Sequence, residues 1–188
     1  LFQNMRAVSS VTASGPTAAD GSGSGILLPR DMDTSAVTRA TGMFSGMTGL
    51  ETVDLTGLSR PAFPADGADL TSMFEGSFTT EADASPALSL ANFGNGAGAD
   101  LTRFAARGLT NDGPIGGGLA SVTMTDSASG ANAKMTAAFR DNARLATASF
   151  TGAGAGAGAD LTWMMEGCGT ALSAGDTATW SFTDAGTG

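Results

Sequence analysis

Ser121-Val122-Thr123-Met124-Thr125, Thr147-Ala148-Ser149-Phe150-Thr151 and Thr179-Trp180-Ser181-Phe182-Thr183 share one pattern: an apolar side chain at every second place, with Ser or Thr between. Looser copies are Ser10-Val11-Thr12-Ala13-Ser14, Thr52-Val53-Asp54-Leu55-Thr56 and Ala87-Leu88-Ser89-Leu90-Ala91. In extended backbone successive side chains point to opposite faces, so this alternation describes half-buried strands with their hydroxyls outward. A chain that repeats such a strand is expected to stack its copies, and stacked scaffolds usually bind rather than catalyse.

Between the strands a second phrase returns. Asp69-Leu70-Thr71-Ser72-Met73-Phe74-Glu75-Gly76 and Asp160-Leu161-Thr162-Trp163-Met164-Met165-Glu166-Gly167 are its clearest copies. Asp100-Leu101-Thr102-Arg103-Phe104 and Met135-Thr136-Ala137-Ala138-Phe139 are weaker, and Val37-Thr38 running to Met43-Phe44-Ser45-Gly46 is a longer variant. An Asp before a short apolar run accepts hydrogen bonds from the first amides of a helix, and a Gly just after it suits a left-handed end. The phrase therefore predicts a helix of one or two turns. Leu1-Phe2-Gln3-Asn4 matches the end of such a helix, so the chain is expected to open partway through a repeat.

The central strand residues Val11, Val53, Leu88, Val122, Ala148 and Trp180 are unevenly spaced, but the order of strand, glycine loop and short helix is kept. The expected fold is an α/β repeat: one solenoid domain over residues 1–188, with short stacked parallel strands, Gly-rich loops and short helices, in about six repeats. Residues 14–32, which contain Asp20-Gly21-Ser22-Gly23-Ser24-Gly25, are expected to be a flexible insertion. Thr151 to Ala159 alternates Gly and Ala, which suits either a silk-like sheet or a tight connecting arch.

The apolar signature also reaches three residues upstream of the strand centre, as Val8/Val11/Ala13, Leu50/Val53/Leu55, Leu119/Val122/Met124 and Leu145/Ala148/Phe150. This is the L-x-x-L-x-L rhythm of leucine-rich repeats. With Asp33-Thr34-Ser35-Ala36-Val37-Thr38, Met43-Phe44-Ser45-Gly46 and Leu50-Glu51-Thr52-Val53-Asp54-Leu55, the chain resembles the BspA-like leucine-rich-repeat surface proteins. The match is strong over 33–56 and recognisable at 69–76 and 160–168, where Cys168 falls on the family's cysteine. Elsewhere Ala and Gly replace larger residues. The resemblance implies a curved solenoid on bacterial or protozoan surfaces, often in adhesion, with related repeats in phage-encoded proteins.

Composition narrows the function. A net charge of −9, from 18 acids against 9 bases, opposes binding to a phosphate backbone, so no nucleic-acid partner is expected. No apolar run is long enough to span a bilayer, so no membrane insertion is expected. The chain has no His, which removes the usual general base and the commonest nitrogen metal ligand. Cys168, the single cysteine, has no activating base beside it in sequence and is expected as a small buried thiol. Glu75 and Glu166 occupy equivalent places in the phrase, and Asp69, Asp100 and Asp160 suit caps, so paired-carboxylate chemistry is not expected. Gly94-Asn95-Gly96-Ala97-Gly98 and Gly116-Gly117-Gly118 are expected turns, since no phosphate-loop Lys follows. Asp20-Gly21 and Asn111-Asp112-Gly113 lack the regular acidic spacing of a calcium loop. No catalytic residue, metal or cofactor is assigned.

What remains is the hydroxyl face. With the strands in register, Thr12, Asp54, Ser89, Thr123, Ser149 and Ser181 form one row, with Ser14, Thr56, Ala91, Thr125, Thr151 and Thr183 beside it. Thr12, Asp54, Thr56, Ser89, Thr123, Thr125, Ser149, Thr151, Ser181 and Thr183 are thus a candidate ligand face for a glycan or protein on a cell surface. The competing explanation is that β-branched Thr suits any solvent-facing strand position. A regular array could also order water and bind ice, but Asp54, Ala87 and Ala91 interrupt it. Two functions follow as expectations. One is a non-enzymatic recognition or adhesion module, extracellular, on a cell surface or virion fibre. The other is a structural part of a phage tail, capsid decoration or surface filament. It would pack both solenoid ends against neighbouring chains or domains, because Trp180 and Phe182 sit on a last strand with nothing after it to cover them.

Overall fold

A computed structural model describes residues 3–5, 7–14, 25–78, 84–107, 118–173 and 176–185. Its strands are β1 (Ser10–Ser14), β2 (Gly25–Pro29), β3 (Thr52–Asp54), β4 (Ala87–Ala91), β5 (Ser121–Thr125), β6 (Thr147–Thr151) and β7 (Thr179–Thr183). All pair in parallel in one open sheet of order β2-β1-β3-β4-β5-β6-β7. Every alternating stretch singled out above contains a strand. Because neighbours in sequence are neighbours in space from β3 onward, each strand with its return path forms one coil of a stack.

The inward residues make the core. Val11, Val53, Leu88, Val122 and Ala148 form one buried row through the strand register, and Ala13, Leu90, Met124 and Phe150 lie in the next. Val8, Leu50, Leu119 and Leu145, the upstream members of the triplets, are buried as well. Rings bridge the coils. Phe44 stacks on Phe74 at 5.1 Å, Phe104 meets both Phe74 and Phe93 at 5.4 Å, and Phe150 contacts Phe139 at 5.5 Å and Phe182 at 5.0 Å.

The expected short helices are corrected: the described residues contain none. The phrase beginning at Asp69 is a run of turns whose amides leave the coil. Leu70, Ser72, Phe74 and Gly76 donate to the carbonyls of Asp100, Thr102, Phe104 and Ala106 at 2.7–3.0 Å. An α-helix needs each amide for the carbonyl four residues back, so a neighbour that takes every second one forbids it. Left-handed residues let the chain turn while keeping these bonds: Gly42, Ser72, Arg103, Ala137 and Trp163 align, with φ between +53 and +60°. The bridges Arg39↔Asp69, Asp69↔Asp100, Asp100↔Lys134 and Lys134↔Asp160 fix the register of this turn side.

The glycine arches follow the same rule. Gly67, Gly98, Asn132 and Gly158 are left-handed at one level, and Gly67, Gly98 and Asn132 donate to Ala97, Ala131 and Ala157 of the next coil. The Gly-Ala stretch before Asp160 is therefore an arch, and not a silk-like sheet. Gly156 is needed there for space, because a Cβ would run into the carbonyl of Gly130 one coil back. Within the stretch expected as an insertion, residues 25–29 are strand β2, which folds back onto the free edge of β1. Residues 15–24 of that stretch lie outside the described residues.

Candidate functional site

The strand register brings the predicted hydroxyl row together. Thr12 pairs with Asp54, Asp54 with Ser89, Ser89 with Thr123, Thr123 with Ser149 and Ser149 with Ser181. Ala91, Thr125, Thr151 and Thr183 run beside it, and Ala87, Ser121, Thr147 and Thr179 form a third row on its other flank. Thr123, Thr151, Ser181 and Thr183 are exposed, and Thr12, Asp54, Ser89, Thr125 and Ser149 are half-buried.

One assignment needs correcting. β3 ends at Asp54, and Thr56 turns back so that its amide and hydroxyl both donate to Asp54 Oδ1, at 3.0 and 2.6 Å. Thr56 therefore leaves the row, and the Asp54 carboxylate is engaged in closing the turn. On the far side of β1, the row meets Leu27 of β2 instead of a hydroxyl.

The face thus divides. Over β5–β7 it is a block of Ser121, Thr123, Thr125, Thr147, Ser149, Thr151, Thr179, Ser181 and Thr183, with no charge and no apolar gap. None of these hydroxyls makes a side-chain hydrogen bond among the described residues. Parallel neighbours stand about 4.8 Å apart across the strands. The block is an in-register array of hydroxyl donors and acceptors on short side chains, which suits contact with an extended, polar, uncharged surface.

The acids of the turn side have structural partners. Asp69 accepts from the Thr71 amide and hydroxyl, Asp100 from the Thr102 amide, and Asp160 from the Thr162 amide and, one coil back, the Thr136 hydroxyl. These are the caps expected from sequence, closing Asx turns where helices were expected. Bonds from Thr162 and Thr136 hold the Asp160 carboxyl below the usual range. For Asp69 burial acts upward, but Thr71, Thr41 and Arg39 outweigh it and the result is lowered. Glu75 pairs with Arg103 and Glu166 with Arg140, each across adjacent coils, so neither carboxylate faces the other.

Cys168 is buried, with its thiol pushed up to about 11 by burial, and its Sγ donates to the Phe139 carbonyl at 3.0 Å. Its place in the coil explains this. Ser77 and Asn142, at the same position in their own coils, donate to the carbonyls of Phe44 (2.6 Å) and Ala105 (2.9 Å) one coil back. This position in the coil is thus a buried donor that ties one coil to the one before it. Among the described residues no three acidic or thiol groups gather to hold a metal, and no helix is long and apolar enough to cross a membrane. Asp20-Gly21 and Asn111-Asp112-Gly113 fall outside the described residues.

Sequence reasoning missed two features of the surface. Thr41, Thr71, Thr102, Thr136 and Thr162 make a second threonine row, two places beyond the bridged Arg39–Asp69–Asp100–Lys134–Asp160 row. The Asp-Leu-Thr phrases, aligned residue by residue, carry the signal for it. Strand β2 carried only the short signal Ile26-Leu27-Leu28, with no alternation to mark it. No family model, curated protein or solved structure matches this chain.

Proposed function

We propose that this protein is a non-enzymatic recognition or adhesion scaffold of the BspA-like, leucine-rich-repeat kind, displayed outside the cell or on a virion fibre. It binds a surface glycan or protein through its Ser/Thr strand face. The observation that carries the reading is the β5–β7 block, where uncharged hydroxyls on adjacent strands lie in register and make no side-chain hydrogen bond among the described residues. A polar filler surface needs no such order, and soluble proteins usually scatter charges over a solvated sheet face. The resemblance over residues 33–56 supports the same reading.

The test is a glycan array and a surface-protein pull-down with the chain, repeated with Thr123→Lys and Ser149→Lys. Both substitutions place a long charged side chain in the middle of the block without touching the core. A ligand whose capture is lost in both variants supports the proposal. Blank arrays and pull-downs, or capture unchanged by both substitutions, overturn it.

A further inference from the structure

We infer that the β5–β7 block takes crystalline water, the surface of ice, as a ligand. Such binding presupposes that the block is a contact face, as proposed above. Ser121, Thr123 and Thr125 pair with Thr147, Ser149 and Thr151, and these pair with Thr179, Ser181 and Thr183, with no stagger between strands. The hydroxyl residues therefore repeat about 4.8 Å from strand to strand and about 6.6 Å along each strand, near the two repeats of the water oxygens on a prism face of ice. Asp54, Ala87 and Ala91, which interrupt the pattern in sequence, all lie on β3 and β4. The register confines those gaps to one side and leaves β5–β7 whole.

The second threonine row of the stack shows what a structural role looks like. On the turn side Thr71 donates to Asp69 and Thr136 to Asp160. The row beside them carries the ion pairs Arg39–Asp69 at 3.5 Å and Lys134–Asp100 at 3.4 Å. Those hydroxyls are taken up in closing the coils, and a strongly hydrated ammonium next to them holds water in its own geometry. The strand block differs on both counts. Its hydroxyls make no side-chain hydrogen bond among the described residues, and no ionisable group lies within it, in a chain of 18 acids and 9 bases. Ice is itself uncharged and extended, so a face that excludes charge over adjacent strands matches it.

The energetics favour water that is already ordered. Thr is stiff at χ1, so its hydroxyl and methyl are set before contact. A water that bridges fixed polar groups keeps nearly the enthalpy of a direct hydrogen bond and costs up to about 2 kcal/mol of immobilisation entropy. At an ice surface that entropy is already lost, and small gains add over the array. The relief fits as well. On β6 the exposed Thr147 and Thr151 flank the half-buried Ser149, which lacks their methyl and leaves room above the middle row.

The test is slow growth of ice from a dilute solution of the 188-residue chain, with the protein measured in the ice and in the liquid. The wild-type chain is expected to be enriched in the ice. Thr123→Lys and Ser149→Lys are expected to remain in the liquid, with unfolding midpoints near that of the wild type, because neither side chain is in the core. Ala87→Thr combined with Ala91→Thr extends the array onto β4, opposite Ser121 and Thr125, and is expected to raise the enrichment, a gain that misfolding does not produce. A wild-type chain excluded from ice overturns the inference. So does enrichment that both lysine variants retain, or that the extended array fails to raise. Capture of a glycan or protein together with exclusion from ice overturns this inference and leaves the recognition reading standing, and enrichment in ice with blank arrays and pull-downs does the reverse.

Discussion

The two ends of the stack begin from the same problem and meet it differently. At the first end β1 would expose its edge and its inward residues, but β2 lies against it, and Val11 is fully buried under Ile26 and Leu28. At the other end the equivalent row closes with Trp180 and the next with Phe182, both left open. The open end also carries the larger side chains, and Trp163, 64% exposed, is on its turn side. An uncovered strand edge with aromatics beside it is a pairing site, whereas a short strand ending in Pro blunts one. Among the described residues, one end of the sheet is closed by the chain's own insertion, and the other ends on β7 with Trp180 and Phe182 exposed.

That contrast can be broken experimentally, and the largest effect is expected where cover is complete. Phe150→Ala, inside the last covered coil, should lower the unfolding free energy by about 3–5 kcal/mol. Phe182→Ala, stacked on Phe150 but half-exposed, should cost about 1–2 kcal/mol in the monomer, a fraction of the transfer free energy of a fully buried ring. Urea denaturation of the two variants side by side measures the ratio. Equal losses would mean that the β7 end is covered in solution. At the closed end, Leu28→Asp puts a charge into the partly buried face of β2, and a loss of about 1–3 kcal/mol is expected. Loss of β2 protection in hydrogen exchange, with β5 and β6 unchanged, would locate that effect.

A middle coil gives a smaller, pH-dependent contrast. Burial acts to raise the Glu75 carboxyl, but bonds from Arg103 and Ser72 outweigh it, and the group sits below its usual range. A depressed carboxyl contributes stability that is present above the unfolded value, near pH 4.3, and is lost as pH falls through the lower folded value. Glu75→Gln should therefore flatten the decline in stability below about pH 4.5, and unfolding midpoints between acid and neutral pH would show it. The smallest effect belongs to Cys168. With its thiol raised by burial, a thiol reagent at mildly alkaline pH should label the native chain far more slowly than the unfolded chain. Rapid native labelling would mean that the last coil opens locally.

The strands were legible because period-two alternation is a local property that only a two-sided sheet satisfies, and the buried Val8, Leu50, Leu119 and Leu145 confirm the wider rhythm. The turn phrase reads as a helix for a definite reason. Asp followed two residues later by a Thr amide has the same local chemistry at a helix N-cap and in a free Asx turn, and Gly76 or Gly167 ends either one. Only the neighbouring coil, by taking alternate amides, distinguishes them. The position of Thr56 was hidden similarly, since Asp54 can stand in a row or fold its own neighbour back, and the choice depends on where β3 stops pairing.

The sequence by itself determined which residues lie inward and that Ser and Thr share one outer face, because side-chain parity is set residue by residue along a strand. The tertiary structure decided what no single coil contains. It made turns of the expected helices and placed β2 as a cover for β1. Those outcomes depend on which backbone amides and carbonyls a neighbour satisfies, and that is a property of the stack.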